Sequence, residues 1–130
     1  MGTVLIVEDN DYNLRLMSYV LKRDGYQVVA ADSGEKGVEM ADREQPELII
    51  MDINLPGIDG LETTRRIRDL GGTMPIIAIT SRAMTGDRET ILEAGCNGYI
   101  EKPYDPATVM DQIRGFISAA GTGTEQKGAP

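Results

Sequence analysis

Polar side chains that could carry chemistry follow four short apolar runs of the sequence, each at the point where the run ends. In chain order they are Glu8-Asp9, Asp52, Thr80-Ser81 and Glu101-Lys102. The chain contains no histidine, which excludes histidine-based catalytic triads and histidine-ligated zinc sites. Any chemistry must therefore rest on carboxylates, hydroxyl groups and lysine.

Short apolar runs alternate along the chain with longer stretches of helical period. Continuous apolar runs are typical of strands that are covered on both faces of a sheet. The predicted strands are Val4–Val7, Gln27–Ala31, Leu48–Met51, Ile76–Thr80 and Gly98–Ile100. The predicted helices start near Asn10, Ser33, Asp59, Thr85 and Asp105 and end near Gly25, Arg43, Gly71, Ala94 and Ser118. Five strands alternating with five helices predict an α/β fold, a doubly wound parallel sheet with right-handed crossovers.

The chain has 130 residues, close to the usual size of one domain. We expect the folded domain to span residues 1–119. Residues 120–130 are rich in glycine and threonine and show no periodicity, so we expect them to form a flexible tail.

Composition and charge restrict the partners and the compartment. The formal net charge is -8, and such a field repels phosphate backbones and anionic lipid. We therefore expect no binding to nucleic acid or to membranes. Cys96 is the only cysteine, so no internal disulfide can form, and no apolar run reaches the roughly 18 residues of a spanning helix. These features favour a cytoplasmic protein.

The carboxyl ends of parallel strands lie along one edge of a sheet. If the first and third strands are neighbours, Glu8, Asp9 and Asp52 crowd together at that edge, and like charges oppose each other's ionisation. Mg²⁺ and Lys102 are the two groups that could relieve the repulsion, because Mg²⁺ prefers oxygen ligands. An aspartate beside a metal and a lysine is a reasonable phosphoryl acceptor. Since the chain lacks histidine, a phosphohistidine donor would have to be another protein.

Each of these residues also has an ordinary structural explanation when it is taken alone. Asp52 could cap the loop that follows it, and Thr80 could be a β-branched strand residue. Tyr99 is more often a half-buried strand aromatic than a switch. The coincidence of Asp52 with acidic and lysine side chains at other strand ends favours a functional role over capping.

Four sequence blocks resemble the signature blocks of bacterial two-component receiver domains. They are Val-Glu-Asp-Asn at 7–10, Met-Asp-Ile-Asn-Leu-Pro-Gly-Ile-Asp-Gly at 51–60, Ala-Ile-Thr at 78–80 and Gly-Tyr-Ile-Glu-Lys-Pro at 98–103. The resemblance runs from about Thr3 to Ser118. It implies a flavodoxin-like sheet with the strand order 2-1-3-4-5. The Glu8-Asp9-Asn10 start resembles the receivers of hybrid kinases and of single-domain cell-cycle regulators.

The resemblance also implies a phosphorylation site and a metal site. Asp52 becomes the phosphorylated residue. Asp9 and the main-chain carbonyl of Asn54 become ligands of Mg²⁺ together with Asp52, and Glu8 acts through a water molecule. The implied partners are a histidine kinase or a histidine phosphotransferase.

The remaining implied roles concern the phosphoryl oxygens and the switch. Thr80 and Lys102 would contact the phosphoryl oxygens, and Tyr99 matches an aromatic that swings inward when Thr80 moves. The Lys102-Pro103 peptide bond matches one that is cis in the family. Asn54 and Arg82 stand at positions that tune the lifetime of the phosphoryl group.

Two surfaces are candidates for binding proteins. Leu16 lies to one side of the apolar stripe formed by Leu14, Met17 and Leu21, so it could be exposed and belong to a kinase-docking surface. A lone surface leucine is an equally good explanation. The resemblance places the contact with a downstream target on the fourth helix and the fifth strand. We expect no output domain after the last helix, and therefore signalling by protein binding.

Three other functions compete with a stand-alone switch. The chain could be the receiver fragment of a hybrid histidine kinase. A phosphatase with an aspartyl-phosphate intermediate usually carries a second aspartate two residues after the nucleophile, where this chain has Asn54. A flavin-binding domain of similar fold would need a first loop rich in Ser, Thr and Gly, whereas Glu8-Asp9 would repel phosphate. We therefore expect a signalling protein rather than an enzyme.

Overall fold

The computed structural model describes the backbone of residues 2–81 and 85–128 and the side chains of residues 2–81 and 87–119. The strands are β1 (Thr3–Val7), β2 (Gln27–Ala31), β3 (Leu48–Asp52), β4 (Ile76–Thr80) and β5 (Gly98–Glu101). The helices are α1 (Asp11–Arg23), α2 (Gly34–Glu44), α3 (Gly60–Asp69), α4 (Thr85–Glu93) and α5 (Val109–Gly128). The predicted alternation of five strands with five helices is confirmed.

The strands form one parallel sheet in the order β2-β1-β3-β4-β5, which confirms the order 2-1-3-4-5. β1 and β3 are neighbours, and Val7 pairs with Met51. The next residue along each strand is therefore Glu8 in one case and Asp52 in the other. This register brings the acidic residues of the first and third strands to the same edge of the sheet.

Alternate strand residues fill two apolar clusters on opposite faces of the sheet. The first cluster lies under α1 and α5, and its strand members include Ile6, Ile50 and Ile79. We call this side the α1/α5 face. The second cluster lies under α2, α3 and α4, and its strand members include Val7, Met51 and Ala78. We call this side the α2–α4 face.

Three helices begin at the capping residues that the sequence predicts. The side chain of Asn10 accepts a hydrogen bond from the N–H of Asn13 at 2.9 Å. Ser33 caps α2 in the same way at 3.2 Å. Asp59 caps α3 and accepts from the N–H of Glu62 at 2.8 Å. These contacts satisfy N–H groups that have no partner inside the helix.

The last helix differs from its prediction at both ends. The side chain of Asp105 accepts from the N–H of Ala107 at 2.8 Å, but this closes a turn, and α5 begins only at Val109. At the other end α5 runs to Gly128, beyond Ser118, where the apolar periodicity ends. A flexible tail at residues 120–130 stays a prediction.

The half-buried side chain of Arg68 joins several loops at the edge of the sheet opposite the acidic residues. Its guanidinium donates hydrogen bonds to the carbonyl oxygens of Gly72 at 3.1 Å, Met74 at 2.7 Å and Gly95 at 2.8 Å. It also donates to the side-chain oxygen of Asn97 at 3.0 Å. Arg68 thus holds the end of α3 to the loops before β4 and β5.

Candidate functional site

Three carboxylates converge at the carboxyl edge of the sheet, where β1 and β3 end side by side. Glu8, Asp9 and Asp52 each offer one oxygen atom, and these atoms all lie within 4.8 Å of one another. Glu8 is 6% exposed and Asp52 is 4% exposed, whereas Asp9 is exposed to solvent. The site therefore holds two buried acidic groups and one solvated acidic group.

Backbone N–H groups of the following loops orient the two buried carboxylates. The N–H of Asn10 donates to Glu8 Oε2 at 3.1 Å. The N–H of Asn54 donates to Asp52 Oδ1 at 3.1 Å. Each acidic side chain is thus fixed by the chain two residues beyond it, at the point where the strand gives way to a loop.

Lys102 is the cation of the cluster. Its Nζ lies 3.4 Å from Asp52 Oδ1 and 3.9 Å from Glu8 Oε1. Lys102 follows β5, and its own N–H donates to the carbonyl oxygen of Thr80 at 2.7 Å. The Lys102-Pro103 peptide bond is cis, the geometry that the family resemblance implies.

One ammonium group does not balance the negative charge of three carboxylates. For Glu8 the consequence is a raised pKa. Burial, followed by the hydrogen bond to Asp52 and the charge of Asp52, raises the pKa of Glu8 from its ordinary value of 4.5 to about 7, against the opposing effects of the Asn10 N–H and Lys102. A hydrogen bond between Glu8 and Asp52 requires a proton between them. Without a further cation, the buried pair is therefore favoured in a protonated form near neutral pH.

Thr80 and Tyr99 lie on the other side of the sheet from the Lys102 side chain. Strand alternation places Thr80, which is 3% exposed, on the α2–α4 face. Thr80 and the exposed Asn54 line a common cavity of about 130 Å³ beside α4. Tyr99 is half-buried, packs against the cluster of the same face, and pairs with Ala78 on β4. Arg82 lies outside the described residues.

Leu16 is half-buried rather than exposed, which corrects the prediction from the helical pattern. It lines a cavity of about 510 Å³ together with Glu8, Asp52 and Lys102. Tyr104 lines the same cavity from the connection between β5 and α5. Burial and the charge of Glu8 raise the pKa of Tyr104 to about 12.

Tyr12 and Tyr104 are site-lining residues that sequence reasoning did not single out as functional. Tyr104 stands two residues after Lys102, where the resembling family often has phenylalanine, and that departure is the signal that could have drawn attention to it. Tyr12 is 71% exposed and lies in the first turn of α1, next to the acidic loop. Tyr12 lines the cavity because the fold brings α1 next to the acidic strand ends, and the sequence pattern alone does not show this.

Comparison with known proteins identifies the family. A family model described as the response regulator receiver domain matches residues 4–114. The chain belongs to the response regulator receiver domain family. Receiver domains are signalling proteins of two-component systems that interact with histidine kinases or phosphotransfer proteins. This membership favours the signalling function over the phosphatase and flavin-binding alternatives.

Known receiver domains cover nearly the whole chain. A polar-differentiation response regulator, DivK of Brucella ovis, is 37% identical over 120 residues, which are 91% of this chain and 98% of the relative. The receiver domain of a Pseudomonas aeruginosa sensor histidine kinase is 37% identical, with a TM-score of 0.81 over 90% of this chain and 98% of that one. A CheY-like receiver domain protein of Methanospirillum hungatei is 27% identical, with a TM-score of 0.85 over 95% of this chain and 98% of that one.

The donor set of this receiver domain fits a hard divalent cation. Carboxylate oxygens are the ligands that Mg²⁺ prefers, and the cluster carries an excess of negative charge that such an ion would neutralise. The Pseudomonas aeruginosa receiver domain was solved with a magnesium ion coordinated in its active-site cleft.

Within residues 2–81 and 85–128, none of the helices is long and apolar enough to span a membrane.

Proposed function

We propose that Asp52 accepts a phosphoryl group from a phosphohistidine of a partner protein, which is a histidine kinase or a histidine phosphotransferase. The observation that carries the proposal is the arrangement around Asp52. Its carboxylate is buried, lies 3.4 Å from the Lys102 ammonium group, and shares the edge of the sheet with two other carboxylates. In this arrangement the Asp52 side chain has a fixed position, and Lys102 balances its negative charge only in part.

We assign the metal site to four residues. Asp9, Asp52 and the main-chain carbonyl of Asn54 would hold Mg²⁺ directly, and Glu8 would act through a water molecule. When bound, the ion would neutralise charge on the transferring phosphoryl oxygens. The donor set supports this assignment, because one oxygen atom from each of the three carboxylates lies within 4.8 Å of the other two.

In the transfer step an oxygen atom of Asp52 attacks the phosphorus atom of the partner's phosphohistidine. A phosphorus–oxygen bond forms while the phosphorus–nitrogen bond breaks, and the imidazole nitrogen retains the electron pair of the broken bond. Lys102 stabilises the negative charge on the phosphoryl oxygens. Slow hydrolysis of the resulting acyl phosphate would return the free carboxylate.

We further propose that the phosphorylated form signals through a surface formed by α4 and β5. Thr80 would donate to a phosphoryl oxygen, and Tyr99 would move inward behind it. A charge-assisted hydrogen bond contributes about 1.5–3 kcal/mol, enough to shift a two-state surface. Beside Tyr99 a cavity of about 500 Å³ is lined by Leu92 of α4 and Phe116 of α5, and a downstream target protein would bind there.

Leu16 is our candidate contact for the phosphodonor, because it lines the cavity that also contains Asp52. Truncating this side chain in Leu16→Ala would slow phosphotransfer from the partner while leaving phosphorylation by a small phosphodonor unaffected. A Leu16→Ala variant that accepts phosphate from the partner at the wild-type rate would remove Leu16 from this role.

We propose that residues 1–119 form the receiver domain, that residues 120–130 form a flexible tail, and that the protein acts in the cytoplasm. An alternative setting is a hybrid histidine kinase that contains this receiver domain. The receiver domain of a sensor histidine kinase is 37% identical to this chain, which supports the hybrid-kinase setting. DivK is also 37% identical, which supports a stand-alone receiver to the same degree. The chemistry at Asp52 would be the same in both settings.

The decisive experiment is incubation of the protein with a small phosphodonor and Mg²⁺, followed by intact-mass measurement. The wild type should gain one phosphoryl group, and Asp52→Asn should gain none. Asp59→Asn is a matched control, because asparagine retains the helix-capping ability of this exposed aspartate. A wild-type protein that gains no phosphoryl group, or an Asp52→Asn variant that gains one, would contradict the assignment.

A further inference from the structure

A cavity of about 510 Å³ opens beside the acidic cluster on the α1/α5 face of the sheet. Its floor is formed by Ile6, Ile50 and Ile79, none more than 4% exposed. Protein interiors contain few voids larger than a water molecule. A volume of this size instead falls within the range of roughly 300–1,000 Å³ that is typical of small-molecule sites.

The walls of the cavity come from two separate parts of the chain that are joined to each other. Tyr12 and Leu16 of α1 form one wall, and Tyr104 of the connection between β5 and α5 forms the other. The guanidinium of Arg23, near the end of α1, donates a hydrogen bond to the carbonyl oxygen of Pro106 at 2.9 Å. This bond links α1 to the connection and so ties the two walls together.

The charged groups at the cavity favour a positively charged occupant. Among the lining residues, Glu8 and Asp52 are acidic and Lys102 is basic. The single ammonium group forms ion pairs with both carboxylates, at 3.4 Å to Asp52 and 3.9 Å to Glu8, so one positive charge faces two acidic groups. The exposed Asp9 lies beside them, and the chain as a whole carries a net charge of -8. The surrounding field therefore attracts cations and repels anions.

We propose that this cavity binds a small organic cation, a molecule with one or two aromatic rings and a single primary ammonium group. The ammonium group would take the place of the proton between Glu8 and Asp52, which would pass to solvent, and would donate hydrogen bonds to both carboxylates. The ring system would lie over the isoleucine floor, and the aromatic walls would add cation–π attraction. This site goes beyond phosphoryl transfer. If the proposed function holds, an occupant against Asp52 would also block that transfer, so the site would allow control by a small molecule.

A charge series of probes with the same ring system tests the proposal on the metal-free protein. The probes are naphthylmethylamine, naphthylmethanol and naphthoate, and the measurements are titration calorimetry and amide NMR shifts. A charge-assisted hydrogen bond is stronger than a neutral one, so the amine should bind roughly tenfold more tightly than the alcohol. Naphthoate should not bind measurably. The shifted resonances should include residues 12–16 and 103–106.

Two variants assign the effect to the cavity. Glu8→Gln should reduce the affinity of the amine to that of the alcohol and leave the alcohol unchanged. Leu92→Ala alters a different cavity, beside α4, and should leave all three affinities unchanged.

Three results would overturn the proposal: equal binding of amine and alcohol, an amine preference that survives in Glu8→Gln, or resonance shifts that cluster near Leu92 instead. Equal binding would point to an apolar side chain of a partner protein as the natural occupant. Failure of the probes to bind would also overturn this proposal, but phosphorylation of Asp52, measured separately by mass, would be unaffected.

Discussion

Replacing Glu8 by glutamine should change how the stability of the protein depends on pH. In the folded chain, burial and the neighbouring Asp52 raise the pKa of Glu8 from 4.5 to about 7. Between these two values the folded state holds a proton that the unfolded state has released. Raising the pH through this window therefore favours unfolding, and the stability that is lost is not regained above pH 7.

The size of the effect follows from the shift itself. One pKa unit corresponds to about 1.4 kcal/mol, so the Glu8 shift corresponds to about 3 kcal/mol of unfolding free energy lost between pH 4.5 and pH 7. The side chain of Glu8 is only 7% exposed, so solvent does little to screen this cost. Glu8→Gln carries no ionisable group and should not show the loss.

The assay is urea unfolding followed by circular dichroism, in the presence of a chelator, at several pH values from 4 to 8. The difference in unfolding free energy between Glu8→Gln and the wild type should grow in favour of the variant by about 3 kcal/mol from the lowest to the highest pH. Glu39→Gln is the matched control, because the Glu39 side chain on α2 is 75% exposed, and it should follow the wild-type profile. Parallel profiles for Glu8→Gln and the wild type would refute the reasoning.

Three further substitutions should lower the unfolding free energy, each measured by urea unfolding at neutral pH. Arg68→Met leaves three loop carbonyl groups without their donor and should cost about 2 kcal/mol; an unchanged midpoint would contradict the role of Arg68 as a clamp. Gly60→Ala would place a methyl group against the backbone carbonyl of Asp52 and should cost more than about 2 kcal/mol. Asp59→Ala removes the cap of α3 and should cost about 1 kcal/mol, whereas Asp59→Asn should cost little.

The positions of the acidic residues could be predicted because they depend on features that sequence records directly. Strand ends are marked where an apolar run stops, and parallel strands place those ends at one edge. Glu8 and Asp52 therefore had to meet once β1 and β3 were known to be neighbours. The adjacency of those two strands came from the family resemblance, because apolar periodicity does not specify which strands pair.

Other features could not be predicted because they depend on contacts between distant parts of the chain. A helical pattern places Leu16 to one side of the apolar stripe, but in the fold it is half-buried and lines the same cavity as Tyr104, nearly ninety residues later. Arg68 looks like an ordinary surface residue of α3, and its carbonyl partners are gathered only by the fold. The start of α5 was misplaced because Asp105 caps a turn with the same signal that caps a helix.

The alternation of side chains along the strands places Asp52 and Thr80 on opposite faces of the sheet, and so separates the two roles that we propose for them. Asp52 ends β3 on the α1/α5 face, where the cavity with Leu16 and Lys102 lies. Thr80 ends β4 on the α2–α4 face, beside Tyr99. In the proposed function, a phosphoryl group on Asp52 would be delivered from one face and sensed on the other. Since Asp52 pairs directly with Ile79, one residue before Thr80, that signal would have to cross only one strand-to-strand step.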